Sequence, residues 1–203
     1  MTMKTAITVF SCFVFVSLNA QNLSSERGKI GITYTLGKSN VANIPRVNSD
    51  SYHENLYHYS LGVNYIYPLN SWLEAETGIE YSKNNIKFFA YPNGITYFVG
   101  ERNLSLISIP LTLRADFLKF LFADAGTFID FDFSSKDEII DNQTGMGIVV
   151  GLGAKYDFKF GISLFVNPFA RLHSLVPFAP EKYHNRLFDK GFRFGMTYDL
   201  NKI

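Results

Sequence analysis

Cysteine is almost missing from this 203-residue chain; its single copy, Cys12, lies near the N-terminus. One thiol cannot close an intramolecular disulfide, so a crosslinked framework is excluded as the source of stability. An excess of charge of either sign is also missing: 19 Lys and Arg against 18 Asp and Glu leave a formal net charge of +1. Without a basic block there is no electrostatic reason to expect a nucleic-acid partner. Long hydrophobic runs are missing after the first twenty residues. No later stretch approaches the ~18 unbroken apolar residues of a membrane-spanning helix. A glycine-rich loop of the phosphate-cradling kind is not present either.

What the chain does contain is 20 Phe, 12 Tyr and 15 Gly, a mixture that favours strands and tight turns over helices. The N-terminus has a different character. Met1-Thr-Met-Lys-Thr5 carries one positive charge, an apolar run covers Ala6 to Leu18, and Asn19-Ala20-Gln21 follows. A basic start, a short apolar middle and a small residue are the layout of a secretory signal peptide. The expectation is a signal over 1–20, cut after Ala20, and one domain over 21–203. Cys12 then reads as apolar filler that leaves with the signal, because a lipidation site would not be followed by Phe13-Val-Phe-Val16 in the mature chain.

Period-two alternation recurs along the rest of the chain. Ile30, Ile32, Tyr34 and Leu36 share one face of a first strand, with Lys29, Gly31, Thr33 and Thr35 on the other. Seven more strands follow: Leu56 to Tyr67, Trp72 to Tyr81, Ile107 to Arg114, Leu121 to Asp132, Met146 to Tyr156, Ile162 to Arg171, and Phe192 to Leu200. In every one the charges fall on a single face. Polar stretches near 38–55, 83–102, 134–144 and 173–187 alternate with tight turns at 68–71, 116–119 and 157–160. The expectation is all-β: an eight-stranded antiparallel up-and-down transmembrane β-barrel, with long loops outside and both termini on the short-turn side.

A soluble barrel alternates in the same way but lines a cavity with its apolar face. Here that face carries no charge in any strand, as contact with hydrocarbon requires. Aromatics such as Tyr57, Tyr59, Tyr65, Tyr67, Tyr156 and Phe192 gather towards strand ends, like interfacial girdles. The opposite face is rich in glycine, which suits a crowded interior. All three features favour lipid, and closure of the first strand on the last follows because unpaired backbone groups are costly in hydrocarbon. Pro110 lacks a ladder donor and is read as a local bulge.

Ile107-Ser-Ile-Pro-Leu-Thr-Leu-Arg-Ala-Asp116, then Phe120-Leu-Phe-Ala-Asp-Ala-Gly126, resembles the small barrels grouped as PorT-like or outer membrane protein beta-barrel domain proteins. Gly147-Ile-Val-Val-Gly-Leu-Gly-Ala-Lys-Tyr156 is similar to that family's glycine-rich strand. The resemblance covers the whole mature chain and implies an outer-membrane protein of a Gram-negative bacterium. Its motifs encode barrel geometry and not chemistry. The last strand looks like the signal read by the barrel-assembly machinery, carried by Gly195, Tyr198 and Leu200, although the chain continues to Asn201-Lys-Ile203.

An eight-stranded barrel has room only for side chains, so its inward charges must pair. Arg114 is expected between Glu76 and Asp124, as part of a polar plug; a narrow ion or solute path is the alternative. A lipopolysaccharide-modifying enzyme is the remote reading. His173-Ser174 with Glu181 is its candidate, but adjacent strand residues face opposite ways and would not meet. His53, His58 and His184 show no metal spacing, and Asp130-Phe-Asp132 is too common to mark calcium. No catalytic residue, cofactor or metal is therefore expected. The expected surroundings are outer-membrane lipid and lipopolysaccharide, the assembly machinery, and an envelope protein meeting the outer loops, with Leu175-Val-Pro-Phe-Ala-Pro180 as one docking candidate.

Overall fold

Alternating β-branched and aromatic residues against small polar ones build one continuous ladder that closes on itself. The computed structural model describes residues 27–43, 51–90, 97–134, 141–178 and 185–202. Its strands are β1 (Lys29–Asn43), β2 (Ser51–Pro68), β3 (Leu73–Ala90), β4 (Tyr97–Leu118), β5 (Leu121–Asp132), β6 (Gly145–Asp157), β7 (Ile162–Pro177) and β8 (Asn185–Asp199). Each pairs antiparallel with the next, and β1 pairs with β8, which makes a closed eight-stranded barrel. The seam has an unbroken register from Lys29 opposite Asp199 to Asn43 opposite Asn185. The expected signal, residues 1–20, lies outside the described residues.

The three short turns sit at the end that carries the chain termini, and their residues explain them. Asn70 Oδ1 accepts hydrogen bonds from the backbone of Trp72 (3.0 Å) and Leu73 (2.8 Å), an Asx turn between β2 and β3. Gly161 has φ +93° in the β6–β7 turn, a conformation that side chains with a Cβ rarely adopt. Asn201, in the 3-10 turn after β8, accepts from the Arg27 backbone at 2.7 Å and ties the ends together.

The outside is apolar and the inside polar. Leu61 and Ile79 are each 63 % exposed on the outer wall, whereas Glu76 and Arg114 are 1 % and 2 % exposed inside. That inversion rules out the soluble-barrel arrangement. Aromatic rings collect at the short-turn end, where Tyr156 packs on Phe120 and Phe158, and Phe158 on Phe160. The inward glycines make room for large neighbours. A Cβ on Gly153 or Gly195 would fall 2.2 Å from the ring of Phe122 or Phe165.

Two expectations change. Most of the polar segments at 38–55, 83–102 and 173–187 is strand, because the ladder continues past the zone where lipid demands apolar side chains. Strand runs on to Asn43, Ala90 and Pro177 and is already present at Ser51, Tyr97 and Asn185. Pro110 is not a bulge: Thr77 opposite Leu111 and Glu80 opposite Ser108 keep one register on either side of it. It omits a ladder donor without inserting a residue, and Thr77 Oγ1 donates to its carbonyl at 2.9 Å.

Candidate functional site

The polar residues converge in the lumen, where three layers of paired charge lie beneath an apolar cap. At the short-turn end Lys29 meets Glu74 at 2.6 Å and Lys155 meets Asp116 at 2.5 Å. The middle layer holds three arginines against three carboxylates. Arg114 donates to Glu76 at 2.6 Å. Arg193 donates to Glu76 at 3.0 Å and to Asp124 at 2.8 Å. Arg171 grips both oxygens of Glu80, at 2.6 and 2.7 Å. β3 is not a neighbour of β7 or β8, so the Arg171 and Arg193 pairs are struts across the lumen and not rungs along its wall.

The same guanidinium groups stack on inward rings. Arg114 lies 4.3 Å from the centroid of Phe122 and 4.8 Å from that of Phe165. Arg171 lies 5.2 Å from the Phe169 ring. Asn64 and Asn167 complete the shell by donating to Glu76 at 3.0 Å and to Asp124 at 2.6 Å. Charge is balanced and every carboxylate has a donor, as a buried ionic network requires.

The outer layer is a histidine–carboxylate belt. His173 is 2.7 Å from Asp130 through Nδ1 and 3.0 Å from Asp189 through Nε2, so each ring nitrogen is engaged by a carboxylate. His58 Nδ1 lies 3.3 Å from Asp189 and also contacts Asn84, which accepts from Ser39 at 2.9 Å. Ser108 donates to Asp130 at 2.6 Å. Above the belt, Leu104, Leu106 and Leu187 pack together with Val41. Gln143 accepts from the Leu187 backbone at 3.1 Å and pins this cap to the β5–β6 connection. An enclosed cavity between the middle and outer layers measures only about 10 Å³, room for one water.

Of the expected trio, Glu76 and Arg114 pair directly. Asp124, opposite Arg114 in the β4–β5 register, instead takes Arg193 and Asn167. Arg193, Arg171 and Glu80 were inward by parity, but their partnership depends on cross-barrel distance, which no sequence spacing carries. The belt had only inward parity to announce it. Gly195 and Tyr198 lie in β8, whereas Leu200 opens the 3-10 turn after it.

His173 and Ser174 do not face opposite ways. β7 bulges where Met146 pairs with Val176 but Ile148 pairs with Leu172, and Ser174 adopts φ 48°; both residues are buried. Both His173 nitrogens are engaged by carboxylates, so neither is free to act as a base towards Ser174. Glu181 and His184 lie outside the described residues. Among the described residues no group of three or more His, Cys, Asp or Glu is placed to hold a metal. Leu175, Val176 and Phe178 are exposed and Pro177 is half-buried, whereas residues 179–180 of that docking candidate lie outside the described residues.

A family model for the outer membrane protein beta-barrel domain matches residues 19–201. Similar solved structures include three small outer-membrane barrels. OprG from Pseudomonas aeruginosa is 10% identical, with a TM-score of 0.45 over 84% of this chain and 96% of that one. AlkL is 14% identical, with a TM-score of 0.44 over 89% and 94%. Ail of Yersinia pestis is 10% identical, with a TM-score of 0.41 over 85% and 98%. No curated protein matches the chain in sequence.

Proposed function

The chain belongs to the outer membrane protein beta-barrel domain family, and from that premise we propose a non-enzymatic structural or partner-binding role at the Gram-negative envelope. The filled lumen carries this reading. Cross-lumen ion pairs, rings and an apolar cap occupy the space that a solute would need. The working surface is then the outer strand ends and loops, where an envelope protein would dock. Secretion complexes are among the settings that the family resemblance suggests. Export through a cleaved signal over 1–20, and recognition of Gly195, Tyr198 and Leu200 by the assembly machinery, belong to the same reading.

Planar-bilayer recording of the purified barrel tests it. The expected record has no stable conductance steps, and affinity capture from solubilised outer membranes yields one reproducible partner. Stable, sizeable steps would replace this reading with that of a narrow channel.

A further inference from the structure

The lipid-facing wall is free of charge along most of the β1–β8 seam, and then two cations stand side by side. Lys38 of β1 and Lys190 of β8 are directly opposite each other in the register. Both are exposed, on the same outward face as Leu36 and Phe192. Like charges directly opposite across an antiparallel pair are destabilising. Neither lysine has an acidic partner among the described residues. They lie one outward position beyond Leu36 and Phe192, where the apolar band gives way to the headgroup level of the outer leaflet.

Below this pair the wall is grooved. Two apolar hollows of about 400 and 370 Å³ open to the outside of the barrel and share Ile32 and Met196. Ile30 and Tyr198 line the lower one, and Tyr34 and Phe194 the upper. In the β1–β8 register, Tyr34 opposite Phe194 lies four residues below the lysine pair, roughly 13 Å along the strands. A molecule with anionic phosphate at its head and apolar chains beneath matches this order of charge and hollow.

We propose that the β1–β8 seam is a binding site for a phosphorylated lipid of the outer leaflet. Its phosphate bridges Lys38 and Lys190, and an acyl chain descends past Leu36 and Phe192 into the groove. The bridging phosphate relieves the lysine–lysine repulsion through charge-assisted hydrogen bonds. Occupation would also brace the seam between the first and last strands. The inference rests on the outer-membrane reading with the 91–96 connection outside the cell.

Native mass spectrometry of the purified barrel, titrated with bis-phosphorylated lipid A in detergent, tests it. The expected result is a retained one-to-one adduct, weakened about thirtyfold in a Lys38→Gln/Lys190→Gln variant. Ile32→Trp, which fills the groove and leaves the charge unchanged, also weakens it, whereas Lys83→Gln on the outward face of β3 does not. All four substituted positions are on the surface, and heat-modifiable gel mobility confirms that each variant is folded. Equal retention of dephosphorylated lipid A, full retention by the double variant, or displacement by millimolar inorganic phosphate would overturn the proposal. Labelling of a tag at 91–96 from outside intact cells keeps the two readings apart. An inaccessible tag rejects the orientation, and an accessible tag with no adduct rejects the lipid site alone.

Discussion

Replacing Arg171 by Met would leave the Glu80 carboxylate in the lumen without its two strongest donors. In the folded barrel this guanidinium grips both carboxylate oxygens, at 2.6 and 2.7 Å, and both side chains are 5 % exposed. Removing one member of such a buried pair costs about 3–5 kcal/mol, because the remaining charge is desolvated without compensation. Loss of stacking on Phe169 adds about 1 kcal/mol. A barrel of ordinary stability would then unfold at a much lower urea concentration. Neutralising the partner as well, in Arg171→Met/Glu80→Gln, removes the stranded charge and should recover most of the loss. Urea titration in detergent micelles measures both, read by the fluorescence of Trp72 and by gel mobility with linear extrapolation. The strut argument fails if Arg171→Met stays within about 0.5 kcal/mol of the wild type, or if the double variant is no more stable than the single one.

Gly195→Ala should destabilise by about 1–3 kcal/mol, since its Cβ would fall 2.2 Å from the Phe165 ring. Phe165→Leu in the same chain should restore the folded band on gels, which separates packing from any assembly signal. His173→Gln takes the shared histidine from Asp130 and Asp189, leaving them Ser108 and His58, and should cost about 3 kcal/mol in the same urea assay, with part recovered by adding Asp189→Asn. Ser174→Gly should stabilise by about 1 kcal/mol by relieving the left-handed backbone at φ 48°. Ser174→Ala should leave lipid A composition in living cells unchanged; an altered lipid A would revive the enzyme reading.

The architecture was legible because a membrane barrel imposes a rule on every strand. Lipid requires an uncharged outer face, so Leu61, Ile79 and Leu111 alternate with inward Gly62, Glu80 and Thr112 on every strand, and period two survives in the sequence. Outside the lipid that demand lapses. The strand character of 38–43, 83–90 and 97–102 was hidden because these stretches lack a sustained period-two alternation, and only ladder hydrogen bonding revealed it.

The lumen divides in the same way. Inward parity for Glu76, Glu80, Arg114, Asp124, Arg171 and Arg193 follows from alternation, because a pleated strand leaves each residue one of two sides. Which of them meet does not follow from the sequence. Glu80 reaches Arg171 across 91 residues and the width of the barrel, and Arg193, not Arg114, claims Asp124. Those pairings depend on strand tilt and closure, which set the height of each residue around the barrel. The bulge that turns both His173 and Ser174 inward is a tertiary decision too, because two extra residues on β7 must be absorbed against β6. By itself the sequence determined which residues face lipid and which face inward, since that is a local property of each strand. Closure alone decided that the inward residues form a filled, capped lumen, and that Lys38 stands beside Lys190 over an apolar groove.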